Sequence, residues 1–344
     1  MTERCIAGTL TVTQRVRLNK IALNREYDMA FASVSWEQRS TSAFAATTPL
    51  PKTATLMRFA SGDAVIDRRK DATQEALSRL FTTVGILKLE PSIHFRANAA
   101  LIETHFRDEF LRLGRPLKIL LDITCMPKSY LLFLIGMGFT HDYVCRLDCV
   151  YAEGAYNLQA STTDPMSGEI GLISEGEWDA LQIPYLGAES VIPTRRDLIV
   201  SMGGEIGLSI PFIERYEPRR LGLVLIAESL AQTPDKLPPT EAAALMHILT
   251  EGNIERLDVH LADVVGLIGD TLRFCRNTSS ETVSGIVLGS KPHALALGVA
   301  ALTSDNLELI CRVPKRYRPL DVPPAGPLAF YEVEDRFEPS TYLS

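Results

Sequence analysis

The chain has 344 residues, 46% of them hydrophobic and 22% charged, proportions of an ordinary globular protein that leave no room for a wholly disordered or collagen-like chain. At roughly 150 residues per domain the length predicts two domains, each able to bury a core without disulfide or metal staples. Lys plus Arg is 35 against 42 for Asp plus Glu, a net charge of −7, which argues against a chain that coats long nucleic acid on its own.

In chain order, the N-terminus (Met1-Thr-Glu-Arg-Cys5) has no apolar core of a signal peptide, and no run approaches about 18 apolar residues, so the expected location is the cytoplasm with no membrane contact. Short apolar runs predict strands at Met29–Ser35, Ala54–Phe59, Ser92–Phe95, Leu117–Ile123 and Cys145–Tyr151. Longer segments predict helices at Asp71–Thr83, Ala97–Leu113 and Lys128–Phe139, the last apolar enough to be buried on most sides. This alternation is that of a parallel sheet covered by helices, a Rossmann-like domain over residues 1–152. Residues 153–196, rich in Gly, Ser, Thr and Asp, read as a connector with little regular structure. A second Rossmann-like domain is expected over 197–344, ending in a tail. Its strands are Asp197–Met202, Leu221–Ala227, Val283–Leu288 and Leu307–Val313, and its helices Thr240–Thr250, Leu257–Phe274 and His293–Leu302.

The halves read as a tandem duplication. Val34-Ser-Trp-Glu-Gln-Arg39 aligns with Val200-Ser-Met-Gly-Gly-Glu205 at an offset of about 166, and Met126-Pro-Lys128 with Gly289-Ser-Lys291 at about 163. Such a repeat predicts a pocket shared along a pseudo-twofold axis.

In an open parallel sheet, ligands bind beyond the carboxyl ends of the strands, so the loops that follow strands are where chemistry is expected. In Asp122-Ile-Thr124-Cys-Met-Pro-Lys128-Ser129 a strand ends in an acid and a hydroxyl and then opens a helix. The helix start and Lys128 suit an anion, or Asp122 and Thr124 simply cap the helix. Gly289-Ser290-Lys291-Pro292-His293 repeats the design. After the first strand of each half come Ser35-Trp36-Glu37-Gln38-Arg39 and Ser201-Met202-Gly203-Gly204-Glu205. In the former, Trp36 can stack on a base and Arg39 can reach a phosphate, or Trp36 packs between the domains and Glu37 pairs with Arg39 or a neighbour. The latter lacks the G-x-G-x-x-G spacing of a dinucleotide fingerprint, so no NAD or FAD is expected. Arg312-Val-Pro-Lys315-Arg316-Tyr-Arg318 places a basic cluster at the mouth of the last strand, for an anionic ligand or a partner protein.

The candidate ligand-binding residues are therefore Ser35, Trp36, Arg39, Thr124, Lys128, Ser129, Gly203, Gly204, Ser290, Lys291, Arg312 and Lys315. Glu37, Asp122 and Glu205 are the candidate acids or bases if a reaction occurs. The six cysteines show no zinc or disulfide spacing, the histidines form no metal motif, and no G-x-S-x-G, Walker A or kinase signature is present.

On Asp122-Ile-Thr124 with Lys128, and on Gly289-Ser290-Lys291, the chain resembles the CARF and SAVED families of nucleotide sensors over roughly residues 29–152 and 197–318. The Gly-Gly-Thr-Lys run of many CARF sensors is here Cys125-Met126-Pro127-Lys128. The resemblance implies binding of cyclic or short oligonucleotides made in antiviral defence and signalling to a separate effector protein. Alternatives are an enzyme acting on a nucleotide or nucleic-acid component, as the ring nucleases that resemble CARF proteins do, and an interaction subunit docked through Arg312–Arg318.

Overall fold

Long apolar runs such as Met29-Ala-Phe-Ala-Ser33 suit strands covered on both faces, and the computed structural model shows where they go. It describes residues 2–155, 174–187, 196–202, 210–227, 243, 246–248, 250, 253–278, 282–317 and 321–337. The protein is a mixed α/β chain with mostly parallel sheets, divided into two compact units: Met1–Tyr156 with Pro319–Ser344, and Asn157–Arg318.

The first unit holds strands β1 (Thr2–Ala7), β2 (Leu10–Leu18), β3 (Ile21–Ala22), β4 (Met29–Ser33), β5 (Thr47–Thr48), β6 (Thr53–Phe59), β7 (Thr83–Leu89), β8 (Leu117–Asp122), β9 (Val144–Gly154) and, from the far end of the chain, β16 (Pro324–Asp335). Its helices are α1 (Ser42–Ala45), α2 (Ala64–Ser78), α3 (Phe95–Leu113) and α4 (Lys128–Thr140), with a 3-10 turn at Gln38–Thr41. The main sheet runs β1-β2-β16-β9-β8-β4-β6-β7, while β3 and β5 pair separately. Strands β7, β6, β4, β8 and β9 are mutually parallel. Counted in chain order, that core reads 3-2-1-4-5, the order of a doubly wound sheet.

Local chemistry sets the helix limits. Asp63 caps α2 by accepting the amides of Val65 and Ile66, and Gly114 ends α3 in the left-handed region at φ 67°. Helix α4 is buried nearly all round, from Ser129 to Gly138, as a crossover helix between two fully covered strands must be.

Several expectations are corrected here. Ser92–Phe95 is no strand; it is the turn into α3, and the third parallel strand is Thr83–Leu89, whose first residue the sequence pattern places at the end of a helix. The half-exposed, alternating Thr-Val-Gly-Ile-Leu-Lys-Leu of that edge strand gives too weak an apolar run to stand out. Residues 2–18 form a hairpin, β1 with β2. The segment expected as a tail of the second domain is β16, antiparallel to both β2 and β9 inside the first unit's sheet. Its Leu328 and Phe330 join the core that contains Ala30, Val34 and Leu56.

The second unit holds β10 (Ser174–Gln182), β11 (Arg196–Ser201), β12 (Arg220–Ile226), β13 (Ile254–Val259), β14 (Thr282–Val287) and β15 (Leu307–Tyr317), with helices α5 (Ile210–Tyr216), α6 (Val264–Arg276) and α7 (Lys291–Leu302). Its sheet order is β10-β15-β14-β11-β12-β13. The strands β13, β12, β11, β14 and β15 are parallel and again read 3-2-1-4-5. Antiparallel β10 flanks β15, so the expected connector carries a nine-residue strand. The helix expected at Leu257–Phe274 divides into β13 and α6, separated by a turn in which Asp263 caps α6 through the Gly266 amide. The helix expected at Thr240–Thr250 lies largely outside the described residues.

Phe330→Ala, which empties a side chain 1% exposed beneath the first sheet, is expected to destabilise the protein by about 3–5 kcal/mol, read from urea unfolding followed by tyrosine and tryptophan fluorescence.

Candidate functional site

The carboxyl edge of each sheet is where adjacent strands release their connections to opposite faces. In the first unit this point falls between β4 and β8, paired in register from Met29 with Ile119 to Ala32 with Asp122. Beyond β4 the chain turns tightly: the Glu37 amide donates to Ser35 Oγ at 3.4 Å, and the 3-10 turn follows. That turn folds Arg39 inward, so its side chain is only 3% exposed, with Nε donating to Glu37 Oε2 at 2.7 Å. The guanidinium lies against Gly154 at the end of β9, where a Cβ would come within 2.7 Å of Nη1. Only glycine leaves that space.

Beside it β8 ends in Asp122, itself 3% exposed. Its Oδ1 accepts the Thr124 amide at 2.8 Å, while Oδ2 is buried with no hydrogen-bond partner. Burial pushes this carboxyl up to about 7, against the hydrogen bonds from Thr124 and the charge of Arg39. The Thr124 hydroxyl accepts the Ala152 amide at 3.0 Å and so ties β8's loop to β9. Helix α4 starts behind this loop with Pro127 at its N-cap, which offers the first amides no side-chain oxygen. Lys128, half-buried, is the first helical residue and Ser129, buried, the second. Glu37, Arg39, Asp122 and Thr124 are thus gathered at one edge, with the Ser35 and Thr124 hydroxyls engaged by backbone amides.

Trp36 is half-buried, and the Lys70 ammonium stands 5.8 Å from its ring centre while donating to the Phe59 carbonyl at 2.7 Å. Burial lowers the Lys70 pKa; Asp67 opposes that and Arg58 adds to it. Sequence reasoning misses both Lys70 and Gly154. The available signal for Lys70 is that it lies on the buried face of α2 with Ile66 and Leu77, where a lysine is out of place.

In the second unit the corresponding point lies between β11 and β14, with Ser201 opposite Val287. Ser290 caps α7: its Oγ accepts the His293 amide at 3.1 Å and donates to the Leu261 carbonyl at 3.1 Å. Lys291 is the first helical residue and Pro292 the second. His293 is fully buried, with Nδ1 3.4 Å from Ser201 Oγ and Nε2 3.1 Å from the His260 carbonyl. Gly289 packs against Ser201 so closely that any Cβ there would collide with Oγ. Gly203, Gly204 and Glu205 lie outside the described residues. Arg312 and Lys315 do not form a loop at the mouth of a strand: both belong to β15 itself, which pairs with β10 from Gln182 to Ser174. Arg312 is half-buried and Lys315 exposed.

At the opposite, amino-terminal edge of the first sheet a cavity of about 360 Å³ is lined by Arg25, Tyr27, Asp28, Arg115 and Arg146 among others. Its arginines are engaged by carboxylates, Arg115 by Asp28 at 2.6 Å and Arg25 and Arg146 by Glu334. Among the described residues no helix is long and apolar enough to cross a membrane, and no three or more His, Cys, Asp or Glu side chains are grouped to hold a metal ion.

No family model matches the chain, and no curated protein matches it. Among solved structures, it is similar to the cytoplasmic domain of a prokaryotic cation chloride cotransporter, at 9% identity over 86% of this chain and 99% of the other, with a TM-score of 0.25. A likeness that weak carries no argument about fold or function.

The Asp122 carboxyl makes the site pH-sensitive in a definite direction. Raised from 3.8 to about 7, it binds its proton more tightly folded than unfolded, so its contribution to stability is full at acid pH and falls as pH rises through that window. Asp122→Asn removes this slope. Relative to the parent, the variant is expected to gain on the order of 1–3 kcal/mol between about pH 5 and about pH 8 in urea unfolding.

Proposed function

We propose that the chain is a tandem pair of Rossmann-like units that binds an anionic nucleotide-type ligand at the carboxyl edges of its sheets and signals to a separate protein effector. The observation that carries this reading is that Lys128 and Lys291 each open the helix after the fourth parallel strand of a 3-2-1-4-5 sheet. They lie about 163 residues apart, as a duplicated unit requires. A lysine there adds a full charge to the partial positive charge of the helix start, where two otherwise ordinary helix caps would need none.

The two edges contribute unequally. Helix α7 has its cap in Ser290, whereas α4 starts at a proline and has no side-chain oxygen at its N-cap, so the first unit is the stronger anion site. Arg39, held inward by Glu37, supplies a second cation at that edge. The CARF and SAVED resemblance, carried by Asp122-Ile-Thr124 with Lys128 and by Ser290-Lys291, narrows the ligand to cyclic or short oligonucleotides, the messengers of antiviral defence. A second reading is favoured by Asp122 alone: a buried carboxyl titrating near neutrality beside an anion site is suited to general acid–base chemistry on a bound nucleotide.

The test is a thermal-shift screen of the full chain against mononucleotides, cyclic dinucleotides and cyclic oligoadenylates, with each mixture afterwards resolved by chromatography. A binding ligand raises the melting temperature by mass action. Lys128→Ala is expected to weaken that ligand by about 1–3 kcal/mol and Lys291→Ala by less. Recovery of intact ligand supports the sensor, consumed ligand lost on Asp122→Asn supports the enzyme, and no shift with any compound overturns both.

A further inference from the structure

We propose that β7 is the surface through which this chain binds a second copy of itself, the two β7 strands pairing antiparallel about a twofold axis so that two eight-stranded sheets become one. This stands whether or not a nucleotide is bound. The main sheets of the two units end in four edge strands, β1 and β7 in the first and β10 and β13 in the second. An open edge is a template for pairing, and proteins guard it with charged side chains. Strand β1 carries Glu3 and Arg4, β10 carries Glu175, Glu177 and Asp179, and β13 carries Glu255, Arg256 and Asp258. Strand β7, Thr83-Val-Gly-Ile-Leu-Lys-Leu89, carries Lys88 alone.

The backbone shows what that edge offers. The Thr83 amide donates to the Lys52 carbonyl at 3.0 Å, and the Leu89 carbonyl accepts the Ala60 amide at 2.9 Å, both on the β6 side. The pairing with β6 runs from Thr83 to Leu89 without a bulge. Because backbone groups alternate along a strand, residues 83, 85, 87 and 89 face β6, and the amides and carbonyls of Val84, Ile86 and Lys88 face outward. Among the described residues no further strand or turn hydrogen-bonds them. Val84 and Ile86 pack on the core that contains Leu56 and Leu77 and yet stay half-buried, so an apolar surface stops at this edge. Gly85 lies mid-strand, and a Cβ there would meet Thr55 Oγ1 at 3.7 Å, an ordinary contact. Nothing within the chain calls for a glycine at that position, and one inside a strand weakens it unless another backbone comes close.

The occupant is a second copy because the strand is complementary to itself. Centred on Ile86, an antiparallel pair sets Ile86 against Ile86, Val84 against Lys88, and Gly85 against Leu87 of the second copy. The outward residues then meet as hydrogen-bonded pairs, which partners every outward amide and carbonyl. Gly85 and Leu87 meet at non-hydrogen-bonded positions, where the strands come closest, with Cα atoms about 4.5 Å apart. The half-buried Leu87 takes the space the glycine leaves. Lys88 lays its aliphatic stem along Val84 of the second copy, and the two Lys88 residues fall about 14 Å apart along the strands. That exceeds the screening length of about 8 Å at physiological ionic strength. A register centred on Lys88 would set the two lysines opposite each other, so charge selects the one centred on Ile86. A contact of this kind uses the same surface on both copies and closes on itself.

Sedimentation velocity of the full chain over a concentration series is expected to show monomer passing to dimer. Ile86→Cys is expected to form, on oxidation, a disulfide joining position 86 of two copies, mapped by peptide mass spectrometry, since opposed hydrogen-bonded residues lie about 5.5 Å apart at Cα. Val84→Cys, which faces Lys88 and not its own counterpart, is expected to form none. Gly85→Glu sets a carboxylate against Leu87 of the second copy, and Ile86→Pro removes an outward amide while leaving the β6 pairing intact. Each is expected to weaken association by about tenfold or more at an unchanged melting temperature. Gly85→Glu and the two cysteine variants decide the matter should Ile86→Pro fold poorly. Parent protein that is monomeric at every concentration overturns the proposal, as does a dimer that Gly85→Glu leaves intact or one that cross-links as readily through Val84→Cys as through Ile86→Cys.

Discussion

A parallel strand covered by helices on both faces favours apolar side chains between its ends, and β4, β8 and β11 follow that pattern. Ser284 within β14 and Asp148 within β9 are instead buried polar side chains held by Glu308 and Tyr27. Within β4, β8, β11 and β14 the side chains are almost wholly buried. The carboxyl ends are where the chemistry collects: Asp122 after five residues of β8, Ser201 as the last residue of β11, Arg39 folded back over the edge. Buried there, each group must find an internal partner or shift its protonation. Thr124, Glu37 and His293 are those partners.

The two edges solve the same problem differently. In the first unit the resolution is ionic, with a buried arginine beside an ion-pairing glutamate and a carboxyl pushed toward neutrality. In the second a serine hydroxyl and an imidazole face each other, the imidazole also meeting the His260 carbonyl. The parallel cores of the two units thus share one strand order and differ in the chemistry of their carboxyl edges.

The first sheet also depends on a long-range closure. Strand β16 enters between β2 and β9, and Glu334 near its end pairs with Arg146 on β9 and Arg25. Tyr27 donates to the buried Asp148 of β9 at 2.7 Å. Residues about 300 apart in sequence thus share one sheet, a pairing that carries a high loop-closure cost and must be offset by the core that Leu328 and Phe330 complete.

Strongly buried elements are legible from the amino acids alone. The runs of β4, β6, β8 and β9, the apolar α4 and α7, and the hydroxyl–lysine helix starts at Lys128 and Lys291 follow from local composition, because burial on two faces demands an unbroken apolar pattern. A pairing of Glu37 with Arg39 or another neighbour is among the readings their positions offer, and the structure forms the ion pair with Arg39. What depends on distant partners is not legible. The half-exposed edge strand β7, the β10 strand in a polar segment, and β16 acquire their identity only from the neighbours they pair with. Lys70 under Trp36, Gly154 under Arg39 and His293 against Ser201 are decided by tertiary structure for the same reason: sequence sets which side chains a strand end can offer, and only packing sets which of them meet.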